Sequence, residues 1–393
     1  MKRLKDIPLA GRLVFLRVDF NVPLDEQGKI RDDTRIRAAL PTIQYLLDQR
    51  CRLVVCSHLG RPKGQFNPKL SLRPVANRLA ELCQQEVRLA PGVIGSEVET
   101  LKRQLREREI LLLENVRFQA EETANDPGFA RQLAVGIEVY VNDAFGACHR
   151  AHASVVALAN LIREKAAGFL LEKEVEYLNR AVKAPEKPYV AVLGGAKVSD
   201  KIPVLESLVE KADHVLIGGA MAYTFFKAQG FDVGKSLVEE ELKSQALAIL
   251  TRAKERRIGF RLPSDHLMAA TVDKEASAEV VSSFPLPSEK MAVDIGPRTI
   301  HEYAQIIAGA RTIFWNGPLG VFEVDKFAQG TIKIAEAIAS SPAVSIVGGG
   351  DSIAALEKAG VSQKITHIST GGGASLEYLA KGTLPGIEAL ETD

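Results

Sequence analysis

Short apolar runs recur along this chain and alternate with amphipathic stretches, and that alternation is what most restricts its fold. In the first half the runs are Leu13–Val18, Arg52–Cys56, Ile110–Leu113 and Glu138–Asn142. In the second half they are Pro188–Leu193, His214–Ile217, Arg257–Leu262, Ala310–Trp315 and Val344–Val347. Many are continuously apolar, as expected for parallel strands buried on both faces. Between them lie helical patterns such as Leu72–Cys83, Val204–Lys211, Glu239–Arg256 and Ile353–Ala359. Strand and helix in alternation predict an α/β architecture with parallel sheets. A length of 393 residues suggests two or three domains. A charged helical stretch, Glu172–Val182, runs into the proline-bracketed turn Ala184–Pro188, which places a junction near 170–187.

A net charge of +1 gives no reason to expect nucleic-acid binding, but it hides an asymmetry. Residues 1–168 carry 26 Lys and Arg against 20 Asp and Glu, and 19 of those 26 are arginine. The planar guanidinium suits bidentate binding of carboxylate and phosphate, so the first half is a candidate anion-binding region. Cys51, Cys56, Cys83 and Cys148 have spacings of neither a zinc site nor a disulfide framework, which points to reduced thiols in a cytoplasmic protein. The opening residues lack a signal-peptide core, and the greasiest stretch, Val215–Phe226, is broken by Gly218 and Gly219, so no membrane association is expected.

Glycine clusters follow three candidate strands of the second half: Gly194-Gly195, Gly348-Gly349-Gly350 and Gly371-Gly372-Gly373. Glycine lets the backbone approach a ligand closely, and a helix starting there aims free N–H groups at it. Lys197 and Lys201 lie four apart, so a helix beginning there would carry both on one face, suited to a polyphosphate. Asp351 at a helix start is a cap candidate, but beside a phosphate pocket it would repel the ligand unless magnesium stood between them. Gly230–Ser236 has one residue too few between its glycines for a phosphate-binding P-loop, and no G-x-G-x-x-G dinucleotide motif is present.

In the first half, Asp19 and Asn21 close the first strand two residues apart, which places them on one side of extended chain. Basic groups then follow successive strand ends: His58 and Arg61, Arg117, and His149 and Arg150, with Arg35 after the first. No activated nucleophile stands out. That fits phosphoryl transfer to a carboxylate, which is already ionised and needs no general base.

The stretches RVDFNVP at 17–23, SHLGRP at 57–62, ENVRF at 114–118 and CHRAHAS at 148–154 carry a family resemblance. So do GGAKVSDK at 194–201, WNGPLGVFE at 315–323, GGGDS at 348–352 and STGGGAS at 369–375. In these stretches, and in their order, the chain resembles the phosphoglycerate kinases. The resemblance implies two doubly wound parallel-sheet, Rossmann-like domains: 1–170 for the phosphoglycerate and 171–375 for the nucleotide. A hinge helix would join them, and a segment 376–393 would return to the first. It implies that Asp19, Phe20, Asn21, Arg35, His58, Leu59, Gly60, Arg61, Arg117 and Arg150 bind 3-phosphoglycerate or 1,3-bisphosphoglycerate. Lys197, Lys201, Asn316, Glu323, Gly349, Gly350, Asp351 and Ser352 would bind ATP or ADP, with Asp351 serving the magnesium ion. Arg35, Lys197 and the amides of Gly371, Gly372 and Gly373 would stabilise the moving phosphoryl group. The family also implies a monomer. Cys148 and Val116 are small departures from the family pattern, and neither removes a charged group.

The expected mechanism is in-line transfer between nucleotide and carboxylate, with the domains closing and water expelled. Two other readings fit less well. A nucleotide-responsive binding protein would not need both Arg35 and Lys197. A kinase acting on an alcohol would need a base.

Overall fold

The computed structural model describes residues 1–392. The chain forms two compact units, Met1–Val175 together with the segment that begins at Thr383, and Glu176–Gly382. The helix Phe169–Val182 contains the crossover point at 175/176.

The first unit is built on six parallel strands: β1 (Leu13–Val18), β2 (Arg52–Cys56), β3 (Val87–Leu89), β4 (Ile110–Leu112), β5 (Val139–Asp143) and β6 (Lys165–Ala167). Their order is β3-β4-β2-β1-β5-β6. Strands β1, β2 and β5 carry the continuous apolar runs because helices cover both faces. Val14, Leu16, Val18, Leu53, Val55, Val139 and Val141 form one core with Ile36, Ile43 and Leu46 of the helix Thr34–Asp48. The winding reverses between β1 and β5, and in such sheets the crevice at the carboxyl ends of the strands is where ligands bind. The segment from Thr383 ends in the helix Pro385–Glu391. Gly386 donates its N–H to the Cys148 carbonyl at 2.9 Å. A Cβ there would meet Val155 and Cys148, so only glycine permits this close packing. The helix Gly373–Lys381 lies wholly in the second unit, so the returning segment begins at Thr383 and not at the expected residue 376.

The second unit has six parallel strands and a small antiparallel sheet. In chain order its strands are β7 (Tyr189–Leu193), β8 (His214–Ile217), β9 (Gly259–Arg261), β10 (His266–Ala269), β11 (Ala278–Val281), β12 (Met291–Ile295), β13 (Thr312–Asn316), β14 (Val344–Gly348) and β15 (His367–Ile368). The parallel order is β15-β14-β13-β7-β8-β9, so the winding reverses between β7 and β13. Val190, Val192, Ile313, Trp315 and Val347 form its core with Ile334 and Ile338 of the helix Gln329–Ser340. The sheet β11-β10-β12 was not visible as alternation in the sequence. Among the described residues no helix is long and apolar enough to cross a membrane.

Candidate active site

At the carboxyl end of β1 in the first unit, Asp19 accepts a hydrogen bond from Arg35 Nη1 at 2.7 Å. Asp19 Oδ1 also accepts the Asn21 amide at 3.2 Å, so the motif forms a local Asx turn and does not present two parallel side chains. Asn21 Oδ1 instead accepts the Gly60 amide at 2.8 Å, tying the β1 loop to the β2 loop. The Gly60 carbonyl accepts from Arg117 Nη1 at 2.9 Å. His58 Nδ1 lies 3.9 Å from Asp19 Oδ1 and 3.4 Å from Arg17 Nη2. Arg35, Asp19, Asn21, His58, Gly60 and Arg117 therefore form one connected constellation.

The remaining residues stand differently. Phe20 and Leu59 have core side chains, and the Phe20 amide is spent on Ser57 Oγ and the Leu59 amide on Asn115 Oδ1. Their side chains pack in the core beneath the loops that carry Asp19, Asn21 and Gly60. Arg61 is exposed directly after Gly60. Arg150 is exposed and donates to His149 Nε2 at 3.1 Å.

Charge explains the protonation states. Burial opposes ionisation of Asp19, but the positive charges about it (His58 wherever its ring is protonated, Arg35 and Arg17) and the Asn21 amide more than offset it and hold the carboxyl below its usual range. Burial, reinforced by Arg17, Arg117 and Arg35, drives the His58 imidazole well below its ordinary value against the pull of Asp19. His58 is thus neutral at pH 7, and the arginines supply the positive field. Burial beside Arg17 lowers Arg117 to about 10, and its Nε has no partner among the described residues.

Sequence reasoning passed over the support beneath this constellation. Arg17 is fully buried on β1; its Nε donates to Ser154 Oγ at 2.8 Å and its Nη1 to the Val18 carbonyl. The Ser154 hydroxyl and amide both donate to Glu122, at 2.7 and 2.8 Å, and Glu122 is fully buried. The signal was an arginine inside an otherwise apolar strand, since a buried charge needs a counter-charge.

In the second unit the loops after β7, β13, β14 and β15 converge. A cleft of about 480 Å³ is lined by Lys197, Lys201, Asn316, Gly349, Gly350, Asp351, Ser352, Gly372 and Gly373. It adjoins a more apolar cavity of about 230 Å³ lined by Tyr223, Leu319, Val321 and Glu323, and the two share Gly195, Ala196, Pro318 and Asp351. Gly194 lies against Pro318 so closely that any Cβ would strike its carbonyl. Gly372 has φ +54° and is the N-cap of the helix Gly373–Lys381, where the Ala374 amide donates to the Gly371 carbonyl at 3.0 Å and the Ser375 amide to the Gly372 carbonyl at 3.3 Å. Gly371 is buried one residue behind, its amide donating to Ser369 Oγ at 3.2 Å.

The expected helix carrying Lys197 and Lys201 on one face is corrected. The helix is Ile202–Lys211, with Pro203 in its first turn and Lys201 as its N-cap. Proline favours that position because its missing N–H is not needed there, so Lys197 and Lys201 stand on the preceding loop. Both still line the cleft. Lys197 is exposed; Lys201 is buried and its Nζ bonds Asn316 Oδ1. Burial lowers Lys201 to about 8, opposed by Asp200 and Asp351. Asn316 Nδ2 donates to the Gly348 carbonyl at 2.6 Å, and Ser352 Oγ accepts the Gly317 amide at 2.6 Å. Asp351 is exposed in the first turn of the helix Gly350–Lys358, whose N-cap is Gly349.

Among the described residues no group of three or more His, Cys, Asp or Glu side chains is placed to cage a metal. The donor set fits a different kind of ion. One exposed carboxylate at the edge of a lysine- and amide-lined cleft matches magnesium, which binds through one or two carboxylates together with substrate phosphates.

A basic constellation on one parallel-sheet unit and a glycine- and lysine-lined cleft on another define a phosphotransferase built in two parts. The phosphoglycerate kinase family model matches residues 4–382. Phosphoglycerate kinases of an Anaeromyxobacter species and of Koribacter versatilis are 55% and 54% identical to this chain. The alignments cover 100% and 98% of it, and 99% and 98% of those proteins. The solved phosphoglycerate kinase of Coxiella burnetii superposes with a TM-score of 0.90 at 41% identity, covering 99% of this chain and 98% of that one. That of Pyrococcus horikoshii gives 0.84 at 38%, covering 100% and 98%. The chain belongs to the phosphoglycerate kinase family.

Proposed function

We propose that the first unit binds 3-phosphoglycerate or 1,3-bisphosphoglycerate and the second binds ATP or ADP with magnesium, and that a phosphoryl group passes between them. The observation that carries this is a basic constellation of Arg35, His58 and Arg117 after the strands of the first unit and a glycine- and lysine-lined cleft after the strands of the second. Arg117, His58 and Asn21, with Arg61 and Arg150 beside them, hold the phosphorylated acid; Asp19 orients Arg35. Lys201, Asn316, Ser352 and the Gly349 and Gly350 amides hold the nucleotide phosphates. The apolar cavity takes the base, with Glu323 toward the sugar. Magnesium, when bound at Asp351, supplies charge neutralisation of those phosphates. Arg35, Lys197 and the Gly372 and Gly373 amides stabilise charge on the transferring group, while Gly371, its amide held by Ser369, sets the turn that presents them. Each ligand binds on a different unit, and the acyl phosphate must be kept from water during transfer.

Both pockets belong to one chain, which supports a functional monomer. The four free cysteines, three of them buried, suit a reducing cytoplasm. A coupled assay should show ATP consumption that depends on 3-phosphoglycerate and not on glycerate or shikimate. Consumption with those alcohol acceptors, or none with 3-phosphoglycerate, would refute the assignment.

A further inference from the structure

The loop from the end of β7 to the helix Ile202–Lys211 carries Lys197, yet Lys197 itself lies in neither strand nor helix. Something must hold it. Val198 and Ser199 direct successive N–H groups at one point, the arrangement that elsewhere in proteins captures anionic ligands. Here the anion is internal. Glu239 Oε2 accepts the Val198 amide at 2.6 Å and the Ser199 amide at 3.0 Å, and Oε1 accepts the Ser199 hydroxyl at 2.7 Å. Glu239 is fixed in turn, because its own amide donates at 3.1 Å to Thr224 Oγ1, buried on the helix Met221–Ala228.

We infer that Glu239 is a positioning residue for phosphoryl transfer: its carboxylate fills the Val198–Ser199 amide nest and so fixes the loop from which Lys197 reaches the transferring group. Burial favours the neutral acid. The Ser199 hydroxyl, the two amides and the Lys197 charge outweigh it and keep Glu239 ionised. The carboxylate has a second consequence. It closes the nest to nucleotide phosphates, which leaves the other glycine loops to bind them, and it gives the Lys197 ammonium a counter-charge before any phosphate arrives. Because Glu239 touches neither proposed ligand pocket, its loss should disturb the transfer step more than binding.

This inference rests on the role proposed for Lys197, and a double-mutant cycle separates the two. The variants are Glu239→Gln, Lys197→Ala and their combination, each assayed for kcat, for both KM values and for melting temperature. Glu239→Gln should lower kcat by about 10- to 100-fold with both KM values within about threefold, the cost of a misplaced catalytic group. In the Lys197→Ala background the same change should cost less than about twofold, because a residue acting through a partner has nothing left to act on. An equal loss in both backgrounds, or no loss of kcat in either, would overturn the inference. Unchanged kcat in Lys197→Ala alone would instead refute the Lys197 role. Should the Glu239 variants melt early, Ser199→Ala removes one of the three bonds from an exposed position. It must show a smaller kcat loss that disappears in the Lys197→Ala background; a loss that persists there counts against the inference.

Discussion

Arg35 and Asp19 are joined at 2.7 Å, and Arg35 is only about one-third exposed. The pair sets the guanidinium at the edge of a basic constellation while leaving some of its donors free. An arginine tethered by one hydrogen bond is pre-oriented without being consumed.

Arg35→Ala should therefore reduce turnover by about two to three orders of magnitude, the scale of losing one electrostatic stabiliser of a transition state. Nucleotide affinity should be unchanged, since the nucleotide cleft lies on the other unit. Steady-state kinetics with calorimetry of ADP binding will check both halves of this statement.

Lys201 has a pKa lowered to about 8 by burial, so its charge is lost as pH rises through that value. The phosphate-binding form is the ammonium. Nucleotide binding should thus be flat from pH 6.5 to 7.5 and weaken above about 8, with protons taken up on binding at pH 8.5. Calorimetry in two buffers of different ionisation enthalpy measures that uptake, and Lys201→Arg should abolish it.

Asp351→Ala should weaken magnesium–ADP binding by at least about tenfold and leave 3-phosphoglycerate binding as it was, because the residue lies at the edge of the nucleotide cleft alone. Equal losses for the two ligands would contradict the metal role.

Asp143 is fully buried and raised to about 7 by desolvation, although Thr42 and the Leu170 and Leu171 amides pull the other way. A carboxyl raised on folding is protonated in the native chain and ionised in the unfolded one between about pH 4 and 7. Its contribution to stability therefore falls as pH rises through that window and is level above it. Asp143→Asn mimics the neutral form, so the variant's melting temperature relative to wild type should rise from pH 4 to 7. A constant difference would show that Asp143 is ionised throughout.

Glu122 is the buried counter-charge of Arg17, reached through Ser154. Arg17 keeps Asp19 as a second nearby carboxylate; Glu122→Ala removes the acceptor of the buried Ser154 amide and hydroxyl and should destabilise the first unit by about 1–3 kcal/mol, measured by denaturant unfolding.

Most of the parallel strands were legible because burial on both faces imposes apolar runs, as in β1, β2 and β7, but β3, β6 and β15 were not, because two or three residues are too few to form such a run. Strand β11, Ala278–Val281, was not, because it is short and largely exposed and owes its form to pairing with β10. The candidate ligand contacts were read from glycine clusters and charged strand ends, and Asn316 and Glu323 from the family resemblance alone. Their supports were not. Glu122 and Glu239 look like surface acids in sequence, and only the fold brings them to Ser154 and to the Val198–Ser199 amides. The lysine pair was misplaced for a local reason: four-residue spacing suggests a helix face, but Pro203 starts the helix beyond both.

The central claim is that two chemically distinct pockets on two units serve two different phosphorylated ligands. Calorimetric titration of 3-phosphoglycerate and of magnesium ADP into wild type, Arg117→Ala and Lys201→Ala tests it most directly. Each substitution should abolish or greatly weaken the ligand of its own pocket and leave the other affinity intact. If either substitution removed both binding events, or if the two ligands competed in wild type, a single shared site would replace the two proposed here.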